Sequence, residues 1–213
     1  ALIKAAQNHS PTNHANVLVS IFVNPLQFGE GEDFENYPRE LNQDSQLAFN
    51  AGANAIWAPS ANEVFPKQTQ SFRKVKAPEK LQACLCGATR KGHFDGVATV
   101  ILRLLDLVKP QILVLGEKDW QQLIIIRHII HKFNLPIRIK AVPTHRDHDG
   151  LASSSRNLYL TKSQREKALA LPQALQKASK EYKEGKQVDV ETIKSYLESK
   201  DLIVEYIESV DPE

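Results

Sequence analysis

The chain has 213 residues, 42% of them apolar, and a formal net charge of +2. That suits one globular domain of ordinary size with a small second domain at one end, and it gives no basis for a broad nucleic-acid surface or a polybasic membrane anchor. No apolar run approaches the roughly 20 residues that span a bilayer, no cleavable signal is visible, and Cys84 and Cys86 form an isolated C-x-C that reads as reduced thiols in a cytosolic protein rather than as zinc ligands.

In chain order, residues 1–8 read as part of a helix with neither cap nor start methionine, and 11–14 as a loop. Residues 17–23 are almost continuously apolar and rich in β-branched side chains, as in a parallel strand covered on both faces. Asn24-Pro25 stops that strand, because proline cannot continue a central strand. Residues 38–51 read as a helix with Leu41, Leu47 and Ala48 inward and Gly52 closing it. Short strands are expected at 55–58 and 72–75. Residues 85–96 carry three glycines among Arg90, Lys91, His93 and Asp95. Val97, Val100, Ile101, Leu104, Leu105 and Val108 then follow the spacing of an amphipathic helix, which Pro110 ends.

A strand at 112–115 leads into the turn Gly116-Glu117-Lys118-Asp119, then a helix with Leu123, Ile126, Ile130 and Phe133 inward. Another strand follows at 137–142. Strand and helix alternate at the spacing of βαβ units, which predicts a parallel sheet with right-handed crossovers. Residues 143–150 form a charged loop. Thr161 with Gln164 is a capping box, opening a helix that buries Ala168, Leu171, Leu175 and Tyr182 and stops at Gly185. Asp189 caps a last helix with Val190, Ile193 and Leu197 inward, and 204–207 begins a strand. The change of pattern places a domain boundary near residue 161, giving domains 1–160 and 161–213. Both ends read as cut from a longer protein.

Ligands of open α/β sheets bind where the strands end at their carboxyl edge. Four polar clusters are expected there. Asn24 and Gln27 are amides, able to donate to and accept from hydroxyls and carboxylates; Asn24 could equally cap its turn. Lys118 with Asp119 offers a compact cation for a phosphate, or else a surface ion pair with Asp119 as N-cap. Of Gln121 and Gln122 only one can face the site, since helix neighbours diverge by about 100°. Ser153-Ser154-Ser155-Arg156 makes an anion cradle of hydroxyls, N–H groups and a guanidinium, or a plain polar loop. His145 and His148 have H-x-x-H spacing without a third ligand, a weak metal signature. Neither common phosphate-binding glycine motif occurs, and no nucleophile–base set is evident. These residues point to an α/β domain that binds an anionic, phosphorylated ligand through Lys118 and Arg156.

Five motifs in order carry a resemblance: Phe22-Val-Asn-Pro-Leu-Gln-Phe28, Tyr37-Pro-Arg39, Gly92-His-Phe-Asp-Gly-Val97, Gly116-Glu-Lys-Asp-Trp-Gln-Gln122 and Asp149-Gly-Leu-Ala-Ser-Ser-Ser-Arg-Asn157. Together they resemble the pantothenate synthetases (pantoate–β-alanine ligases) along nearly the whole chain. The resemblance implies a Rossmann-like parallel sheet of the nucleotidylyltransferase superfamily and the start of a small α+β C-terminal domain. It implies condensation of pantoate with β-alanine through a pantoyl adenylate, using ATP and Mg²⁺, in a cytosolic homodimer. By the same resemblance Gln27, with Asn24 beside it, holds pantoate and β-alanine, and Gln122 holds pantoate. Gly116, Glu117, Lys118 and Asp119 line the ATP site, Ser154, Ser155 and Arg156 complete the phosphate cradle, and His145 gives adenine a backbone contact. The family's H-x-G-H histidines would fall just upstream of Ala1. The 213-residue piece alone is therefore expected to have little or no ligase activity. A related nucleotidyltransferase and a non-catalytic nucleotide-binding module are the alternatives.

Overall fold

The structure, a computed structural model, describes residues 1–9, 16–66 and 72–211. The loop expected at 11–14 lies outside the described residues. The chain divides into two compact units, Ala1–Pro143 and Thr144–Glu213. This division falls upstream of the boundary expected near residue 161. The physical reason is a charge link: Arg165, on the first helix of the second unit, binds Asp147 and Asp149 and holds residues 144–153 with that helix.

The first unit runs α1 (Leu2–Gln7), β1 (Leu18–Ser20), a 3-10 turn (Pro25–Gln27), α2 (Leu41–Asn50), β2 (Ala55–Trp57), α3 (Ala61–Val64), α4 (Glu79–Gln82), α5 (Leu85–Thr89), α6 (His93–Val108), β3 (Ile112–Gly116), a 3-10 turn (Glu117–Asp119), α7 (Trp120–Lys132) and β4 (Arg138–Val142). All pairing between these strands is parallel. β1 pairs with β2, with Leu18 opposite Ala55; β3 pairs with β4, from Ile112 opposite Arg138 to Gly116 opposite Val142. The expected parallel sheet thus takes the form of two two-stranded sheets among the described residues.

The core lies where α6 and α7 meet β3 and β4. Phe94, Val97, Ala98, Leu102 and Leu105 of α6 pack with Ile125, Ile126, Ile129 and Ile130 of α7, and Leu113, Leu115, Ile137 and Ile139 close the cluster. α6 ends at Lys109, in the left-handed region, before Pro110. This burial of long apolar side chains, each contributing about 1.5–3 kcal/mol, holds the C-terminal end of β3 in place.

Three expectations in this unit change. The run 17–23 forms a ladder only over Leu18–Ser20, although Ile21 N still donates to Trp57 O at 2.9 Å. Residues 72–75 form no strand. Thr99 Oγ1, from α6, instead accepts from Val75 N and donates to Val75 O, supplying both bonds a neighbouring strand would have given. On α2 only Ala48 is buried, while Leu41 and Leu47 are exposed.

The second unit holds a short loop with an antiparallel bridge between Arg146 and Ala152, a 3-10 turn (Ser155–Tyr159), α8 (Lys162–Ala168), α9 (Ala170–Lys183) and α10 (Val190–Glu198). The expected caps form: Thr161 accepts from Gln164 N, and Asp189 accepts from Glu191 N and Thr192 N. The helix expected from Thr161 breaks at Leu169, because Pro172 in the first turn of α9 has no N–H to continue the ladder. The buried face of α9 includes Ala170, Ala174 and Ala178, not Leu171, Leu175 and Tyr182, which are exposed. Small side chains let α9 approach Leu197 of α10 closely, so the helix turns its alanines inward. Residues 204–207 form no strand; Val204 and Ile207 pack on that same cluster.

Candidate active site

In the first unit, the chain leaving β1 enters the 3-10 turn at Asn24, which is 3% exposed. Its Oδ1 accepts from Leu26 N at 3.1 Å, as a cap. Its Nδ2 donates to Gln27 Oε1 at 3.1 Å and to Gly96 O at 3.2 Å. Both hydrogens of the Asn24 amide are therefore engaged within the protein. Gln27 is half-buried, and its carbonyl end is occupied by Asn24.

A second set of residues converges on the main chain of Gln27. Arg90 spans Glu32 with two bonds, Nε to Oε1 at 2.8 Å and Nη2 to Oε2. Arg90 Nη2 also donates to Gln27 O at 3.4 Å. His93 Nδ1 lies 2.7 Å from the same carbonyl oxygen, and its Nε2 lies 3.1 Å from Arg90 Nη1. A carbonyl only accepts and a guanidinium only donates. His93 therefore carries its proton on Nδ1, and its bare Nε2 accepts from Arg90. The Arg90 guanidinium holds the Glu32 carboxyl below its ordinary range against the opposing effect of burial. In the sequence Arg90 and His93 stand out only as part of a charged stretch rich in glycine, and nothing local pairs them with Glu32, which is 58 residues from Arg90.

At the other polar turn, Lys118 is exposed and its Nζ contacts Asp119 Oδ1 at 3.2 Å. Asp119 occupies the N-cap of α7 but its side chain does not cap it, turning to Lys118 instead. An exposed pair of this kind contributes about 0–1 kcal/mol, so Lys118 is held loosely. Gln121 donates through Nε2 to Leu81 O at 2.9 Å and to Cys84 O at 2.8 Å. Gln121 thus ties α7 to the α4–α5 region, and Gln122 is the neighbour outside that link.

In the second unit, Ser153 Oγ donates to Asp147 Oδ1 at 2.6 Å and lies 2.8 Å from His145 Nδ1. A hydroxyl has one hydrogen, so His145 Nδ1 is the donor in that pair. Ser153 N donates to His145 O, so this serine braces the loop with both of its donors. Ser154 Oγ accepts from Arg156 N at 3.3 Å and caps the following 3-10 turn. Ser155 and Arg156 are exposed. Among the described residues no three His, Cys, Asp or Glu side chains gather into a metal site.

Arg165 latches this loop through Asp149 and Asp147. Its hydrogen bonds hold both carboxyls below the usual aspartate range, Ser153 adding to the effect at Asp147. A depressed folded pKa means stability that is present above the unfolded value and lost as pH falls through the folded one. The latch should therefore hold at neutral pH and open in acid. In a carboxyl NMR titration both midpoints should lie below about 3.9, and Arg165→Met should raise them toward it. Midpoints unmoved by Arg165→Met would show that the latch does not control them.

Parallel strands joined through helices, with polar turns after β1 and β3, define an α/β protein of the nucleotidylyltransferase type. The model of the pantoate-beta-alanine ligase family matches residues 1–213, and the chain belongs to that family. A bifunctional pantoate ligase/cytidylate kinase from Prochlorococcus marinus (strain MIT 9303) is 54% identical over 210 residues, covering 99% of this chain and 43% of that protein. One of the same description from Synechococcus sp. (strain CC9311) is 48% identical over 213 residues, 100% of this chain and 43% of that protein. The chain thus spans less than half the length of these relatives. Pantothenate synthetase from Thermus thermophilus has a similar structure, with a TM-score of 0.81 and 41% identity over 93% of this chain and 69% of that one. So does pantoate-beta-alanine ligase from Francisella tularensis, solved with beta-gamma ATP and beta-alanine: TM-score 0.84 and 32% identity over 99% of this chain and 76% of that one. No helix among the described residues is long and apolar enough to cross a membrane.

Proposed function

We propose that the protein carrying this chain condenses pantoate with β-alanine at the expense of ATP. The observation that carries this reading is the likeness over 99% of the chain to a ligase solved with beta-gamma ATP and beta-alanine. In the first step a pantoate carboxylate oxygen attacks the α-phosphorus of ATP, the bond to the bridging oxygen of the β-phosphate breaks, and pyrophosphate leaves. In the second the β-alanine amine attacks the activated carbonyl, AMP leaves, and the nitrogen loses a proton to give the amide. The substrate's own carboxylate is the nucleophile, so the protein needs none.

Its contribution is placement and charge. Gln27 binds pantoate and β-alanine, with Asn24 behind it, and Gln122 binds pantoate. Gly116, Glu117, Lys118 and Asp119 line the ATP site, with Lys118 on the phosphates. In the second unit Ser154, Ser155 and Arg156 contact phosphate, Ser153 supports that loop, and His145 meets adenine through its backbone. Mg²⁺ binds substrate phosphates plus one or two carboxylates. Glu117 and the exposed Asp119 are the carboxylates at this turn, a donor set that fits an ion arriving with ATP. Bound there, the ion neutralises charge on the triphosphate. The protein works as a cytoplasmic homodimer.

The test uses the full-length protein with ATP, pantoate and β-alanine, each omitted in turn. Pyrophosphate is expected to need ATP and pantoate, and sustained AMP release to need β-alanine as well. ATP binding with no AMP under any condition would replace the ligase by a nucleotide-binding module.

A further inference from the structure

We propose that Glu32, Arg90 and His93 are positioning residues for the acid-binding amide of Gln27, and that Asn24 fixes which end of that amide meets the ligand. The inference rests on the ligase reading above and adds to it how the acid is recognised.

The direction of each hydrogen bond decides the orientation of the amide. Asn24 Nδ2 is a donor, so the Gln27 atom facing it at 3.1 Å is the carbonyl oxygen. The same nitrogen is fixed by Gly96 O, on the first turn of α6. Asn24 cannot rotate to offer its own carbonyl to Gln27, because its Oδ1 already holds Leu26 N. The Gln27 amide is therefore set with its NH₂ directed away from Asn24. That end donates only, so it selects an acceptor: a carboxylate or hydroxyl oxygen, not an ammonium group.

Side-chain direction is worth little if the main chain beneath it moves. Gln27 lies at the end of a 3-10 turn only three residues long, too short to hold itself. Its carbonyl is held from outside by His93 Nδ1 and Arg90 Nη2. Arg90 is held in turn by the fork of Glu32, and such a bidentate guanidinium–carboxylate pair fixes direction as well as distance. Arg90 and His93, three residues apart, thus converge on one carbonyl oxygen more than sixty residues earlier in the chain, with Glu32 steadying Arg90.

Steady-state kinetics of the full-length protein test this. His93→Leu removes the shortest bond to Gln27 O and should raise KM for pantoate about tenfold while KM for ATP stays within about twofold. His93→Asn keeps an N–H donor where Nδ1 stands and should restore most of the loss. Glu32→Gln keeps the size of a partly exposed side chain, so it should fold normally and show the same selective rise, smaller in size. A role confined to stability would move both KM values together and would not distinguish leucine from asparagine; that result, or an unchanged pantoate KM in Glu32→Gln and His93→Leu, overturns the proposal. A wild-type protein that makes no pantothenate overturns the ligase reading instead.

Discussion

Replacing Lys118 by alanine should lower kcat of the full-length protein about 10²–10³-fold, the loss typical of one well-placed group facing developing charge. Transfer at the α-phosphorus builds charge on non-bridging oxygens and on departing pyrophosphate. A flexible ammonium can follow that charge as it moves. Stability should barely change. The side chains of Lys118 and Asp119 are 39% and 60% exposed, and an exposed pair contributes about 0–1 kcal/mol. The loose contact to Asp119 is easily exchanged for a phosphate. Chemical denaturation and turnover measured on one preparation separate the two effects. Near-normal turnover in Lys118→Ala would remove this residue from the phosphate site, whatever the fate of the fold.

Gly96→Ala should damage both stability and substrate binding, unlike the Lys118 change. A Cβ at Gly96 would lie 2.0 Å from Leu26 O, 2.4 Å from Leu26 C and 2.8 Å from Gln27 N. These are backbone atoms, which cannot swing aside as a side-chain tip does. Either α6 or the 3-10 turn must shift. Overpacking of this kind costs about 1–3 kcal/mol. The shift also stretches the Asn24 contact to Gly96 O and carries Gln27 away from His93. Thermal unfolding should occur at a lower temperature, and pantoate binding should weaken more than ATP binding. An alanine variant with unchanged melting and unchanged pantoate KM would mean that the turn accommodates the methyl group freely.

The two predictions share a cause. Each polar turn is delivered by a strand, but they are held differently. The Lys118 turn rests on the buried stripe of α7, with the side chains of Lys118 and Asp119 exposed to solvent. The Asn24–Gln27 turn is gripped by α6 and by the Arg90 side chain that Glu32 steadies. The first arrangement suits a mobile, highly charged ligand; the second suits a small acid that must be placed closely.

The stripes of α6 and α7 were legible in the sequence because long apolar side chains repeating every third and fourth residue have one way to leave water. The parallel strand pairs, the caps at Thr161 and Asp189, and the polar turns after β1 and β3 were legible for similarly local reasons. The family resemblance added the chemistry, since five ordered motifs constrain more than any one. The tertiary structure decided what local patterns leave open. α9 turns its alanines inward because its neighbour requires close approach, which outweighs the size of Leu171 and Leu175. Residues 72–75 give up a strand because Thr99 satisfies Val75. Gln121 is drawn to two backbone carbonyls, which distinguishes it from Gln122. The grip on Gln27 joins Glu32 to Arg90 across 58 positions, and pairings at that separation exist only once the chain has folded, when the entropy of closing so long a loop has already been met by the core.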